Sequence, residues 1–268
     1  MVPSTPEGDV EPPRLLQLAA HPLRWRLLRA LANGDLIVQE LTERVSAPQN
    51  LVSYHLAKLR SGGVVSARRS SADRRDTYYT LDLEQFESAL SATGRALHPG
   101  LETTTKLQVL PARQQRVLFL CTGNSARSQM AQALMRYLSG GKIEATSAGA
   151  QPRNLHPLAI STMREMYGLD ISDQKSRAIG TVTDQEFDWV ISLCDRMRET
   201  CTEFANVSGV THWSIANPSD EPSAADAPKH FRQMARQLET RIRFFLARLA
   251  ASSASLTDGG EQTDDETR

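Results

Sequence analysis

The chain has 268 residues, and its 31 Lys and Arg balance 31 Asp and Glu, so its net charge at pH 7 is zero. This length allows two domains. No apolar run is long enough to span a bilayer, and the start of the chain is not typical of a signal peptide. We therefore expect a cytoplasmic protein without a membrane partner.

Charges and cysteines are unevenly distributed along the chain. Residues 14–82 carry eleven Lys and Arg against six acids, whereas residues 256–268 carry one against five. A basic segment favours a polyanionic partner, and the acidic end is typical of a disordered tail. Only three cysteines occur, all after residue 120. This usage fits a reducing compartment in which thiols do chemistry.

A first domain is predicted over residues 14–97, after a proline-rich stretch, residues 1–13, that we expect to be disordered. Apolar residues recur at helical spacing in three stretches, residues 14–31, 38–44 and 50–60. Two β-rich runs, 64–69 and 77–81, predict a hairpin. Three helices followed by a hairpin indicate a winged helix-turn-helix, which is mainly α with a β-hairpin wing.

The winged-helix prediction places two sets of side chains against DNA. Polar residues near the start of the third helix would read base edges in a major groove: Gln49, Asn50, Ser53, Tyr54 and His55. Basic residues of that helix and of the wing would contact phosphates: Lys58, Arg60, Arg68, Arg69, Arg74 and Arg75. The alternative is a three-helix protein-interaction domain with a solvated basic hairpin.

Two stretches of this domain resemble the ArsR-type metalloregulatory repressors: Leu23-Arg24-Trp25-Arg26-Leu27-Leu28 and Asn50-Leu51-Val52-Ser53-Tyr54-His55-Leu56-Ala57-Lys58-Leu59. The resemblance implies a homodimer that reads two half-sites of operator DNA, with residues 83–97 as the dimer helix. The family's thiolate sensors carry cysteines on the helix that here spans residues 36–45, and this domain contains no cysteine. Arsenite sensing by that helix is therefore not expected.

A second domain is predicted over residues 116–250, between a linker, residues 98–115, and an acidic tail, residues 251–268. Strands and helices alternate in it. The strands are predicted at 116–121, 143–148, 189–193 and 211–214, and the helices at 129–138, 158–167 and 229–250. This alternation indicates an α/β three-layer domain with a parallel four-stranded sheet, whose ligands bind at the carboxyl ends of the strands. Cys121 and Cys194 both lie at that edge.

The first strand of this domain ends in Cys121 and leads through a short loop into an amphipathic helix. Successive N–H groups of such a loop point into one concavity, which suits a tetrahedral oxyanion. The loop residues are Thr122, Gly123, Asn124, Ser125 and Ala126. Because this field also stabilises a thiolate, Cys121 is predicted as a nucleophile, with Arg127 binding the anion and Ser128 donating to the thiolate. The alternative is a buried structural cysteine.

The stretch Cys121-Thr122-Gly123-Asn124-Ser125-Ala126-Arg127-Ser128-Gln129-Met130-Ala131 resembles the loop of the low-molecular-weight protein tyrosine phosphatases, and most of all that of their arsenate reductase branch. The similarity extends over residues 116–249. It implies arsenate as substrate, phosphate or sulfate as analogues, and no bound cofactor. Asn124 resembles an asparagine that helps to hold a potassium ion in the reductase branch, which makes potassium a candidate there.

Cys194 and Cys201 are seven positions apart and follow a predicted strand. In an ideal helix their Cα atoms would be about 10.5 Å apart, and no disulfide closes beyond about 7 Å. A helical segment would therefore have to unwind first. In isolation, two unrelated cysteines on a helix would be favoured. The thioredoxin-linked arsenate reductases, however, use a loop nucleophile and two cysteines at this spacing, so the resemblance implies a relay through Cys121, Cys194 and Cys201 with thioredoxin as reductant.

The chain departs from the family where a general acid is expected. That acid is an Asp before a Pro after the fourth strand, and this chain has Asn217 before Pro218. An amide cannot deliver a proton as a carboxylic acid does, so Asp220 or water would have to serve, and we expect a slow reductase. Ser219 stands where the phosphatases place a tyrosine that flanks their substrate.

Two other functions remain open. A regulator without useful turnover would bind an oxyanion or arsenite through its thiols and signal to the DNA-binding domain. Asn217 and the cysteine-free first domain motivate this hypothesis. The third function is a protein tyrosine phosphatase, which the surplus thiols and Ser219 disfavour.

Overall fold

A computed structural model of the chain describes residues 11–98, 101, 115–200, 204, 207–218 and 226–257. Its contacts divide the chain into two units, residues 1–68 with 77–104 and residues 69–76 with 105–268. The predicted linker lies almost entirely outside the described residues, as do positions 258–268 of the predicted tail. Within the described residues, no helix combines the length and apolarity needed to cross a bilayer.

The first unit combines helices with a small sheet, as predicted, although the stretch predicted as helical over residues 14–31 forms two helices. Its helices are α1 (Arg14–Ala19), α2 (Pro22–Leu31), α3 (Val38–Val45), α4 (Gln49–Ser61) and α5 (Leu83–Leu97), and its strands are β1 (Leu36–Ile37), β2 (Val65–Arg69) and β3 (Thr77–Leu81). The strand order is β1-β3-β2. The start of α2 follows from its sequence, because Pro22 presets the first helical position and His21 Nδ1 accepts a hydrogen bond from Leu23 N.

Strand β1 was not predicted from the sequence. Leu36 and Ile37 pair with Tyr79 and Tyr78 of β3, and α3 begins only at Val38. The backbone N–H of Ile37 donates to the Glu40 side chain at 2.9 Å, which caps the start of this helix. The helix predicted over residues 38–44 is thus observed as α3, and Leu36 and Ile37, which the ArsR resemblance placed in the same helix, form a strand before it.

His55 corrects one prediction about DNA contacts. Its side chain is buried on the inner face of α4 with Val52, Leu56 and Leu59, and its ring lies 4.3 Å from that of His21. Burial, followed by the charges of His21 and Arg24, lowers its pKa below the ordinary value of 6.5. Because the side chain is only 5 % exposed, it cannot reach a base edge, and the prediction for His55 is wrong.

The second unit has the predicted parallel α/β architecture. Its strands are β4 (Gln115–Cys121), β5 (Ile143–Gly149), β6 (Trp189–Ser192) and β7 (Gly209–His212), and its helices are α6 (Arg127–Leu138), α7 (Pro157–Tyr167), α8 (Asp195–Thr200) and α9 (Ala227–Thr257). All three strand pairings are parallel, in the order β5-β4-β6-β7. Consecutive side chains of β4 from Val117 to Cys121 are all buried, so both faces of this central strand are covered.

Several boundaries in this unit differ from the prediction by one or two residues, and those of β7 and α9 change the picture most. Strand β7 covers Gly209–His212, two residues earlier than the predicted 211–214, because Trp189 to Ser192 of β6 pair with this register. Helix α9 continues to Thr257, past the predicted end of the domain at residue 250. The first seven positions of the predicted tail are therefore helical.

Candidate active site

The candidate nucleophile lies at the carboxyl end of the central strand. Cys121 is the last residue of β4, and α6 begins six residues later at Arg127. The Cys121 Sγ atom is 2.9 Å from Ser128 Oγ, and both side chains are buried. The strand, loop and helix thus bring Cys121 and Ser128 into the contact that the sequence predicts, with Ser128 on the first turn of α6.

The carbonyl groups of the loop after Cys121 are occupied by a second segment. Thr122 O, Gly123 O and Ser125 O accept hydrogen bonds of 2.8–2.9 Å from backbone N–H groups. The donors belong to the stretch after β5: Gln151, Arg153 and His156. In a trans peptide the C=O and the following N–H point in opposite directions. The N–H groups that follow these carbonyls therefore point away from the donors on that segment.

Asn124 fixes the shape of the loop. Its backbone is left-handed, with φ of 42°. Its Nδ2 donates to Ser128 Oγ at 2.8 Å and to Ser147 Oγ at 2.9 Å, and its Oδ1 accepts from Arg177 N at 2.7 Å and from Gln129 Nε2 at 3.2 Å. Protein groups thus use the amide's two N–H donors and both lone pairs of its oxygen.

This bonding concerns one possible ligand of the potassium ion considered from the sequence, the side-chain oxygen of Asn124. Both acceptor positions of Asn124 Oδ1 already face N–H donors, so that oxygen has no lone pair left for a cation. Among the described residues, no group of three or more His, Cys, Asp or Glu side chains could hold a metal ion. The side chain of Asn124 therefore does not fit a potassium ligand.

Arg127, the predicted anion-binding arginine, is half-buried at the start of α6. One of its terminal nitrogens donates to Ile215 O at 3.2 Å, in the segment that follows β7. A guanidinium has five N–H donors in a planar fork, and this bond uses one of them. The bond ties the arginine to the same segment that carries Asn217, which is half-buried two residues later.

The second thiol lies beside the loop. Leu193 N donates to Leu120 O at 2.7 Å, which extends the pairing of β4 and β6 up to the two cysteines. The Cys194 Sγ atom is buried and lies 3.3 Å from Thr122 Oγ1, inside the candidate loop. The structure thus brings Cys121 and Cys194 to one edge of the sheet. Cys201, Ser219 and Asp220 lie outside the described residues.

A buried polar cluster next to Cys194 was not predicted. The Asp195 carboxylate is fully buried, and its Oδ1 accepts from Ser214 Oγ at 2.6 Å and lies 3.2 Å from His212 Nε2. His212 Nδ1 in turn lies 2.8 Å from Ser192 Oγ. An acidic residue directly after a candidate cysteine was the only local signal in the sequence, since the side chains that contact Asp195 lie at distant positions.

The predicted DNA-binding side chains of α4 are accessible except for His55. The exposed ones are Gln49, Asn50, Ser53, Tyr54, Lys58 and Arg60. Lys58 Nζ lies 5.6 Å from the centre of the Tyr54 ring, so the two side chains form one continuous surface.

The basic side chains of the predicted wing lie in different surroundings. Arg75 is held by Asp73 through a salt bridge of 2.7 Å, and Arg69 donates to Arg74 O at 3.0 Å. The guanidinium of Arg75 lowers the pKa of Asp73 to about 2. Arg68 is half-buried, whereas Arg74 is exposed. The charge of Arg75 is therefore partly compensated before any phosphate binds.

The geometry at Gly149 predicts that a single methyl group will damage the anion loop. Gly149 pairs with Cys121, and a Cβ atom there would lie 2.7 Å from Cys121 O and 2.8 Å from Thr122 O. Because such overpacking costs about 1–3 kcal/mol, we expect Gly149→Ala to weaken phosphate binding about tenfold or more, measured by isothermal titration calorimetry. Gly180→Ala is the matched control, since a Cβ there meets nothing within 4 Å. Equal phosphate affinity in both variants would contradict this prediction.

Comparisons with known proteins show which proteins this chain resembles. The chain is 32% identical over 136 residues to a glutaredoxin arsenate reductase of Synechocystis sp., covering 51% of this chain and 99% of that protein. It is 33% identical over 131 residues to an arsenate reductase of Halalkalibacterium halodurans, covering 48% of this chain and 93% of that protein. A solved arsenate reductase in a phosphate-binding state is 32% identical, with coverage of 50% and 98% and a TM-score of 0.45.

Two protein families match different parts of the chain. Residues 21–67 match the bacterial regulatory proteins of the arsR family. Residues 116–255, just over half of the chain, match the low molecular weight phosphotyrosine protein phosphatases. The chain therefore belongs to the low molecular weight phosphotyrosine protein phosphatase family and carries an arsR-family helix-turn-helix domain before it.

Proposed function

We propose that this chain is an arsenic-response protein that reduces arsenate to arsenite and regulates transcription through its helix-turn-helix. The observation that supports the enzymatic half best is the pair of buried thiols at one edge of the sheet, with Thr122 Oγ1 of the anion loop 3.3 Å from Cys194 Sγ. The names of the similar reductases point the same way. Free thiols and a DNA target also suit the cytoplasm.

The proposed reaction begins at Cys121. Its thiolate attacks arsenic of an arsenate held by the loop amides and Arg127, one oxygen leaves as water, and a covalent adduct remains. Ser128 Oγ, 2.9 Å from the sulfur, stabilises the thiolate before the attack. Phosphate fits the same site, but it has no comparable two-electron route and would act as an inhibitor.

Two thiol exchanges would complete the reaction. The Cys194 sulfur attacks the Cys121 sulfur, so the sulfur–arsenic bond breaks, its electron pair stays on arsenic, and arsenite leaves. The Cys201 thiolate then attacks Cys194, which releases Cys121 and leaves a Cys194–Cys201 disulfide. An external dithiol of the thioredoxin type reduces that disulfide. Glutaredoxin is the alternative reductant, because the reductase from Synechocystis is named for it.

The thiol relay predicts how each cysteine variant fails. With arsenate, thioredoxin, thioredoxin reductase and NADPH, we expect sustained NADPH consumption by the wild type and none by Cys121→Ser. Cys201→Ser should release one arsenite per protein and then stop as a Cys121–Cys194 disulfide, because nothing frees the nucleophile. NADPH absorbance and mass spectrometry of the quenched protein measure the two outcomes.

Two further arms of this experiment separate the alternatives. Replacing thioredoxin with glutaredoxin and glutathione identifies the reductant. Hydrolysis of p-nitrophenyl phosphate, measured in parallel, tests the phosphatase alternative. Sustained turnover by Cys201→Ser, or phosphate ester hydrolysis far faster than arsenate reduction, would refute the relay.

Asn217 leads us to expect slow adduct formation. General acid catalysis contributes about 10²- to 10⁴-fold, and an amide cannot supply it. We therefore expect Asn217→Asp to speed formation of the Cys121 adduct by up to about 10²-fold, measured by rapid quench and mass spectrometry. Asn217→Ala serves as the control and should give no gain. An unchanged rate in Asn217→Asp would show that Asp220 or water already supplies the proton.

The first unit is proposed to bind operator DNA as a homodimer. The exposed polar and basic side chains on α4 suit a major groove and its phosphates, and Lys58 is the clearest phosphate contact. Helix α5 is proposed as the dimer helix, since Leu90 is 50 % exposed and Leu97 is 71 % exposed. Two exposed leucines on one amphipathic helix suit burial against a second copy of the chain.

DNA binding can be tested with Lys58→Ala and with arsenite. The DNA is selected by the protein from a random pool, and binding is measured by fluorescence anisotropy. We expect Lys58→Ala to make the negative slope of log binding constant against log salt concentration shallower by about one. Lys142→Ala, an exposed lysine of the other unit, is the control. If arsenite releases the DNA from wild type but not from Cys194→Ser/Cys201→Ser, the regulator without turnover gains support. Equal release from both proteins would exclude arsenite sensing through these thiols.

A further inference from the structure

The residue after Cys194 is bound by a short segment far away in sequence. Residues 69–76, called the brace segment here, connect β2 to β3 and belong to the second unit by their contacts. Ser71 N and Ser71 Oγ donate to Asp195 Oδ2 at 2.8 and 3.0 Å. The brace segment thus supplies two hydrogen bonds to a carboxylate that directly follows a candidate cysteine.

The brace segment is itself tied into a closed turn. Ser70 N donates to Asp76 O at 2.9 Å, which joins its two ends. Ser70 Oγ accepts from Ala72 N at 3.0 Å and from Asp73 N at 3.1 Å. Ser70 is 2 % exposed, so its hydroxyl is a buried anchor. A turn with this internal bonding holds the next residue, Ser71, in one conformation.

The Asp195 carboxylate is fully buried, and each of its oxygens faces two donor groups. Oδ1 accepts from Ser214 Oγ at 2.6 Å and lies 3.2 Å from His212 Nε2, and Oδ2 accepts both hydrogen bonds from Ser71. A carboxylate only accepts, so His212 Nε2 is the donor of its pair. Without Ser71, Oδ2 would lose two donors, which is costly for a buried carboxylate.

The thiol of Cys194 has little freedom to move. The carbonyl oxygen of Cys194 accepts from Met197 N and Arg198 N at 3.1 and 3.2 Å. The side chain of Asp195 adds a second attachment, one residue after the thiol. Together these contacts hold the buried Cys194 Sγ atom in its place, 3.3 Å from Thr122 Oγ1 of the anion loop.

We propose that Ser71 is a positioning residue for Cys194, which it holds beside the anion loop through Asp195. The inference rests on the proposed function for the step that it serves, the attack of the Cys194 sulfur on the Cys121 sulfur. In that step a sulfur–sulfur bond forms, the sulfur–arsenic bond breaks, and its electron pair stays on arsenic. Because misplacing a reacting group by about 1 Å can cost about 10²-fold in rate, a loosened Asp195 should slow this step and leave formation of the adduct unchanged.

The first experiment needs no arsenate and uses the full chain with Cys121→Ser. Iodoacetamide alkylates the Cys194 sulfur: a carbon–sulfur bond forms, and iodide and a proton leave. Cys194 is buried, so the reagent reacts when this region opens. Ser71→Ala should raise the alkylation rate about fivefold, as expected when a hydrogen bond that keeps the region closed is lost. Trypsin cuts after Arg196, so mass spectrometry reads Cys194 on a peptide without another cysteine.

Control variants separate positioning from a loss of fold. Ser71→Thr keeps the hydroxyl and should be alkylated at the parent rate, as should Ser66→Ala, an exposed serine on β2. Deuterium exchange of the β4 amides should be unchanged in Ser71→Ala, because the substitution removes one hydroxyl from an exposed residue. Alkylation of Ser71→Ala at the parent rate, or faster exchange of β4 as well, would overturn the proposal.

The second experiment follows a single turnover with arsenate and without reductant, by rapid quench and mass spectrometry. Ser71→Ala should form the Cys121 adduct at the parent rate and release arsenite about tenfold more slowly, so that the adduct accumulates. Release at the parent rate, or equal slowing of both steps, would overturn the proposal. If the parent protein releases no arsenite, the proposed reductase function fails, and the alkylation rate still decides whether Ser71 holds Cys194.

Discussion

The hydrogen bond from Leu193 N to Leu120 O is the contact on which the candidate site depends. It carries the parallel pairing of β4 and β6 up to the residues that precede the two cysteines. Two thiols that are 73 positions apart in sequence therefore emerge from adjacent strands at the same edge. In a sheet with another strand order, each cysteine would still follow its strand, but the two cysteines would not be neighbours.

Close packing between strands also determines the shape of the anion loop. The loop fits against the end of β5 only because Gly149 has no side chain, and its carbonyls are bound by the segment that follows β5. The shape of the anion loop thus depends on the sheet and on two neighbouring segments. The loop residues alone, placed after another strand, would lack the partners that bind these carbonyls.

The sequence predicts those parts of the molecule whose signals are local. The change from a buried strand to an amphipathic helix around Cys121 is visible in hydrophobic periodicity, and the parallel sheet follows from alternating elements. Long-range pairing fixes the rest. Strand β1 exists because Leu36 and Ile37 pair with β3, and the register of β6 moves β7 two residues earlier than predicted.

His55 and Asp195 illustrate two different reasons for a missed prediction. His55 follows the helical spacing of Val52, Leu56 and Leu59, so the periodicity of α4 already indicated that its side chain is buried. The prediction of a DNA contact relied instead on its position near the start of the helix, which says less about the direction of the side chain. Burial of Asp195 depends on Ser71, His212 and Ser214. No local pattern reports that assembly, because its members come together only in the folded unit.

The saturated hydrogen bonding of Asn124 bears on how ordered the anion loop is before a ligand binds. With its left-handed backbone and all four amide positions engaged, this residue holds the loop in one conformation before any anion arrives. The entropy of ordering the loop is therefore lost when the chain folds and not again at each encounter with an oxyanion. For the oxyanion binding proposed above, a loop assembled in advance in this way would select among anions by size and charge distribution, because it would not reshape itself around each one.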